Sequence, residues 1–187
     1  MYFKITPGAW TFVEASFVLL VIAFLALPCA ARAANEPAWE LQLPGVSYHF
    51  GSPDQPGKRW KQFHDGLGLQ RTAPGERYVW RATAGFMRDS YNHQGLYAGA
   101  SVGYRVYDSS VKAELAAAPM LLYRTTRFDD HRGKAPHRLI PIVMPMIILS
   151  HPESGFGANI TVLPGGNFGK DLHFPGLIYV QLTYRLR

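Results

Sequence analysis

Along most of the chain, apolar residues alternate one by one with small or polar ones, the period that puts every second side chain on one face of a strand. The segment near the C-terminus is the clearest: Ile178, Val180, Leu182, Tyr184 and Leu186 alternate with Tyr179, Gln181, Thr183 and Arg185. Phe156, Ala158, Ile160 and Val162 alternate with Gly157, Asn159 and Thr161; Ala98, Ala100, Val102 and Tyr104 alternate with Gly99, Ser101, Gly103 and Arg105. Tyr78, Trp80, Ala82, Ala84 and Phe86 stand against Val79, Arg81, Thr83 and Gly85, and Val46, Tyr48 and Phe50 against Ser47 and His49. With "GLGLQRT", "VKAELAAAPMLLY" and "RLIPIVMPMIIL", eight strands are predicted. No long segment has a helical period.

One face of these strands is apolar with aromatics; the other is small or polar, often glycine. A soluble sandwich would bury the bulky face and charge the polar one, whereas a membrane barrel turns the apolar face to lipid and the small or polar face inward. Predicted connections are long (about 51–64), short ("TAPGE"), medium (88–94), short ("YDSS"), long (124–137), short ("HPES") and long (164–176). Short turns at one end and longer loops at the other are the habit of outer-membrane barrels. The expected fold is therefore all-β: an eight-stranded antiparallel transmembrane β-barrel over residues 34–187. A soluble lipocalin-like barrel has the same period and stays open as the alternative.

The first residues read differently. A charged start with Lys4, the apolar run "SFVLLVIAFLAL" and a small-residue site at Ala31-Arg32-Ala33 predict a cleaved signal peptide over residues 1–33. The run is short of the roughly 20 residues a spanning helix needs. The single cysteine, Cys29, would leave with it, so the mature chain can be neither a disulfide scaffold, a thiol enzyme nor a Cys-ligated zinc protein. Loss of Lys4, Arg32 and Glu14 takes the formal charge from +6 to +5. That modest excess suits an anionic partner, and export makes lipid the expected one over nucleic acid.

The barrel topology gathers candidate chemistry at one rim. With both termini at the periplasmic end, strand one carries His49 outward, and the third strand leads outward into "RDSYN" with Asp89 and Ser90. A histidine shuttles protons near neutral pH, a carboxylate can orient or charge it, and a hydroxyl can act as nucleophile or donor. Asp-Ser-Tyr-Asn is also ordinary turn composition. The seven histidines show no metal-ligand spacing, so neither metal nor cofactor is expected. "GGNFG" at 165–169 opens no helix and reads as a hairpin loop. Arg124, Arg127, Arg132, Lys134 and Arg138 make the loop 124–138 basic, either to contact lipid phosphates or simply as a solvated loop.

"VSYHF", "GFMRDSYN", "LIPIVMPMIILS" with Pro141 and Pro145, and "LPGGN" before a final strand occur in one order over most of the mature chain. In that order they resemble the lipid A palmitoyltransferase (PagP) family of outer-membrane acyltransferases. The resemblance implies transfer of palmitate, or a similar chain, from the sn-1 position of a phospholipid to lipid A by a monomer in the outer membrane. It implies His49, Asp89 and Ser90 as catalytic residues, with Gly99, Ser101 and Gly103 in the acyl-chain pocket. It also implies that strand breaks at Pro141 and Pro145 admit lipid, proline being rare inside a strand. Inward glycines at 66, 68, 85, 99 and 103 would leave room for a chain, or else relieve crowding. Ser101 stands where the family tends to have a glycine, and with only the ten residues "NEPAWELQLP" before strand one, Pro37 and Pro44 among them, the family's N-terminal amphipathic helix is expected to be absent or vestigial. A lipid hydrolase and a non-enzymatic barrel remain alternatives.

Overall fold

The structure, a computed structural model, describes residues 37–53, 57–125, 128, 136–167, 173–174 and 176–186. The expected signal peptide, Arg127, Arg132 and Lys134 lie outside these residues. Eight long strands follow in order: β1 (Ala38–Phe50), β2 (Gly66–Pro74), β3 (Tyr78–Arg88), β4 (Gln94–Asp108), β5 (Lys112–Arg124), β6 (Arg138–His151), β7 (Phe156–Leu163) and β8 (Gly176–Arg185). Each pairs antiparallel with the next, and β8 returns to β1, closing an eight-stranded barrel. Among the described residues there is no helix. Closure matters because it pairs the first strand with the last, so the sheet has no free edge strand.

The faces fall as the alternation predicts. Tyr48 is 62% exposed, while its neighbours Ser47 and His49 are 5% and 6%. Phe50, Phe63, Phe86, Trp80, Tyr78, Val143 and Leu182 are likewise turned outward, and Gln42, Gln70, Thr72, Arg81, Ser101, Asn159, Thr161, Gln181 and Thr183 are buried inside. The turns at 75–77, 109–111 and 152–155 are short and share one end; longer connections share the other. His49, Asp89 and Ser90 are all at the long-loop end.

β1 begins earlier than the alternation suggested, since 38–44 is strand and not a lead-in. Its register slips between Gln42 and Gly45, a bulge that holds Pro44. Gly45 leaves room there for Tyr179, whose hydroxyl and ring would lie 2.5–2.7 Å from a Cβ.

Two seams are incomplete. β6 pairs with β7 only from Met146 to His151, so the stretch with Pro141 and Pro145 is held by β5 alone. β1 pairs with β2 only from Ala38 to Gln42. Above that, the short segment Phe63–His64 adds on opposite Gly45 and Val46, and Gln62 O accepts from Ser47 N at 2.8 Å. This second seam had no signature in the period-two pattern.

Candidate active site

The turn after β3 is built by Asp89. Its Oδ1 accepts from the backbone N–H of Tyr91 and of His93, both at 2.9 Å, and its own N–H donates to His93 O. Asn92 takes a φ of 68°, a left-handed conformation that asparagine tolerates. So tied, the turn directs Ser90 inward, 4% exposed. Asp-Ser-Tyr-Asn is a turn and also a presenting device.

Ser90 Oγ lies 2.9 Å from His49 Nε2, which joins residues from β1 and from the turn after β3. The other ring nitrogen of His49 does not meet Asp89. Nδ1 faces Ser47 Oγ at 3.4 Å, and Ser47 Oγ lies 2.7 Å from His64 Nε2. His64 Nδ1 in turn donates to Arg88 O at 2.8 Å. Asp89 Oδ2 instead stands 3.4 Å from Arg124 Nε, whose guanidinium also covers the Tyr91 ring. Three residues expected at the rim are therefore together, but the carboxylate serves the turn and Arg124, not the imidazole. At the exposed edge Lys61 hydrogen-bonds Asp65 and holds that carboxyl below its usual range.

Aromatic rings cover the site. Trp60 stacks on His49 with centroids 4.7 Å apart, and Trp60, Tyr91 and Phe128 pack on one another at 4.9–5.5 Å. Trp60 Nε1–H donates to Gly51 O, fixing the indole. Such packing keeps bulk water off the His49–Ser90 pair.

Below it a cavity of about 100 Å³ runs into the barrel, with Ser90, Ser47, His64 and Arg124 at its head. Its sleeve is apolar and rich in methionine: Met87, Met120, Leu122, Met144, Met146 and Leu177. Methionine is unbranched and adapts to a flexible guest. The floor is polar, with Thr83 Oγ1–H and Tyr97 O–H both donating to Gln42 Oε1, at 2.7 and 2.9 Å.

Of the three residues expected to line an acyl pocket, Ser101 lines this cavity. The space beside Gly99 is taken by Met120, and that beside Gly103 by Glu114, which chelates the buried Arg81 at 2.7 and 3.1 Å. Gly68 and Gly85 both yield to the Tyr97 hydroxyl end. These glycines accommodate bulky neighbours, the second of the two uses the sequence left open. Pro141 and Pro145 stand outward at the incomplete β6–β7 seam.

Ser47 and His64 were not anticipated. Ser47 sits two residues before His49, so period two already places it on the inward face. His64 belongs to a segment without alternation, and only its return to β1 reveals it. No group of three or more metal-ligating side chains occurs among the described residues. No model of a known protein family matches the chain, and no curated protein matches it either.

Proposed function

We propose that this barrel resides in the outer membrane after removal of a signal peptide and acts there as an acyltransferase, moving a palmitoyl or similar chain from the sn-1 position of a phospholipid to lipid A. On this reading the chain is a member of the lipid A palmitoyltransferase family. The observation that carries the proposal is the His49 Nε2–Ser90 Oγ contact at the head of a methionine-lined cavity. The apolar outward band with aromatics at both ends supports the membrane setting, since soluble proteins rarely expose such a surface.

In this reading the acyl chain lies along the Met87–Met120–Met144–Met146 sleeve, each buried methylene contributing about 0.8 kcal/mol. The ester carbonyl then rests beside Ser90. The attacking oxygen, Ser90 Oγ or an acceptor hydroxyl taking its place beside His49, forms the new bond to the carbonyl carbon. Its proton passes to His49 Nε2, the ester C–O bond breaks, and the glycerol oxygen leaves as lysophospholipid with that proton. Where Ser90 Oγ attacked, a lipid A hydroxyl then gives its proton to His49 Nε2, bonds to the acyl carbon, and the Ser90 Oγ–C bond breaks as that proton returns to Oγ. The Trp60–Tyr91–Phe128 cover favours transfer over hydrolysis by excluding water. Arg124 beside the cavity head suits a phosphate of donor or acceptor.

Mass spectrometry of lipid A from cells expressing the chain, His49→Asn or Ser90→Ala tests this. A single added acyl mass, lost in both variants, is expected. Free fatty acid with unmodified lipid A would mean a hydrolase, and no lipid change from a correctly inserted protein would overturn the enzyme.

A further inference from the structure

We infer that Ser47 and His64 are positioning residues that hold His49 in the tautomer able to take a proton from Ser90. The inference rests on the proposed role of His49 as base, and deepens it.

The chain of hydrogen bonds has one end whose polarity is not negotiable. Arg88 O can only accept, so His64 Nδ1, at 2.8 Å, carries a hydrogen. In a neutral imidazole the other nitrogen is then a lone pair, so Ser47 O–H donates to His64 Nε2 at 2.7 Å. A serine has one hydroxyl hydrogen. Having given it to His64, Ser47 can only accept from His49, whose Nδ1 therefore carries the proton at 3.4 Å. That leaves the Nε2 lone pair of His49 aimed at Ser90 Oγ, 2.9 Å away.

Ser47, His49, His64 and Ser90 are between 3% and 6% exposed, and their hydrogen bonds run to one another. In a Ser-His-Asp triad a carboxylate fixes the imidazole by accepting from Nδ1–H. Here Asp89 is engaged by the turn and by Arg124, and the neutral Ser47–His64 pair fills that place.

The same chain can run backwards. A second proton on His64 makes Nε2 a donor, turns the Ser47 hydroxyl onto His49 Nδ1, and leaves His49 Nε2–H facing Ser90. A base so oriented cannot accept. The polarity of all four groups thus depends on His64 being neutral; facing it are Arg124, Lys61, Asp89 and His49, with the Tyr179 ring packed against it at 5.4 Å.

The test is ¹⁵N NMR of the ring nitrogens in the full chain in detergent micelles, paired with acyl-transfer kinetics. Wild-type His49 is expected with Nδ1 protonated and Nε2 bare. In Ser47→Ala and His64→Phe that preference should relax and kcat should fall about 10- to 100-fold, less than the ~10²–10⁴-fold a positioned base contributes. KM should stay within about twofold, and Ser47→Thr, which keeps a hydroxyl, should restore both signal and rate. A wild-type His49 protonated at Nε2, or an unchanged kcat in both Ser47→Ala and His64→Phe, would overturn the inference. The NMR signals are read without substrate. A wild-type protein with the expected tautomer but no acyl transfer would therefore sink the proposed reaction and leave the tautomer standing.

Discussion

Arg124 Nε stands 3.4 Å from Asp89 Oδ2, tying the end of β5 to the turn that presents Ser90. Asp89 is 1% exposed and its Oδ1 already carries two backbone bonds, so one side chain holds both the turn and its anchor. Removing one partner of a buried pair strands the other charge, a loss of about 3–5 kcal/mol. Asp89→Ala should therefore lower both the unfolding midpoint and the transfer rate. Asp89→Asn keeps the Oδ1 acceptor and should be the milder change. Denaturant unfolding in micelles, beside lipid A acylation, checks the order.

The Arg81–Glu114 pair bridges β3 and β5 across the barrel interior, both side chains 4% exposed. Glu114→Gln leaves the guanidinium uncompensated and should destabilise the barrel by about 3–5 kcal/mol. Arg81→Met combined with Glu114→Leu should recover much of that, and a double-mutant cycle measures the coupling. Transfer chemistry, at the other end, should change little in the double variant.

Ser101 is the one of the three expected pocket residues that lines the cavity, near its polar floor. Ser101→Met shortens the space under the ester and should shift the transferred chain to fewer carbons with little loss of rate. The acyl mass on lipid A reads the change directly. An unchanged mass would mean that the chain stops above Ser101.

Continuing the β6–β7 register past Met146↔Thr161 would bring Pro145 opposite Val162. Cysteines at those two positions should form a disulfide that sews the open seam. If lipid enters there, oxidation abolishes transfer and reduction restores it. Activity that survives oxidation would move entry to another wall, with the Pro44 bulge the first alternative.

How much of this was legible beforehand depends on the kind of signal. Period two is written by each residue and its neighbours, so all eight strands and the inward positions of Ser47, His49 and Ser101 could be read directly. Alternating loop lengths then set His49 and Ser90 at one rim. What the glycines do could not be read, because the atoms that fill the space beside Gly85 and Gly99 come from Tyr97 and Met120 on neighbouring strands. That the neighbour of His49 Nδ1 is Ser47 and not Asp89 was hidden for a related reason. Asp89 adjoins Ser90 in sequence, yet its carboxylate is consumed by the amides of Tyr91 and His93, while His64 reaches Ser47 only through a segment that joins β1 outside any periodic run.

The hydrogen-bonded layer of Gln42, Gln70, Thr83 and Tyr97, with Arg81 and Glu114 beneath it, has a consequence for the cell. Tyr97 on β4 donates to Gln42 on β1 and accepts from Gln181 on β8, so side chains meet across the lumen and close it below the cavity. If the barrel spans a bilayer as proposed, this layer blocks the lumen, and many copies should add little ion conductance. On the proposed membrane setting, a barrier whose worth lies in what it keeps out would host this protein without becoming leaky.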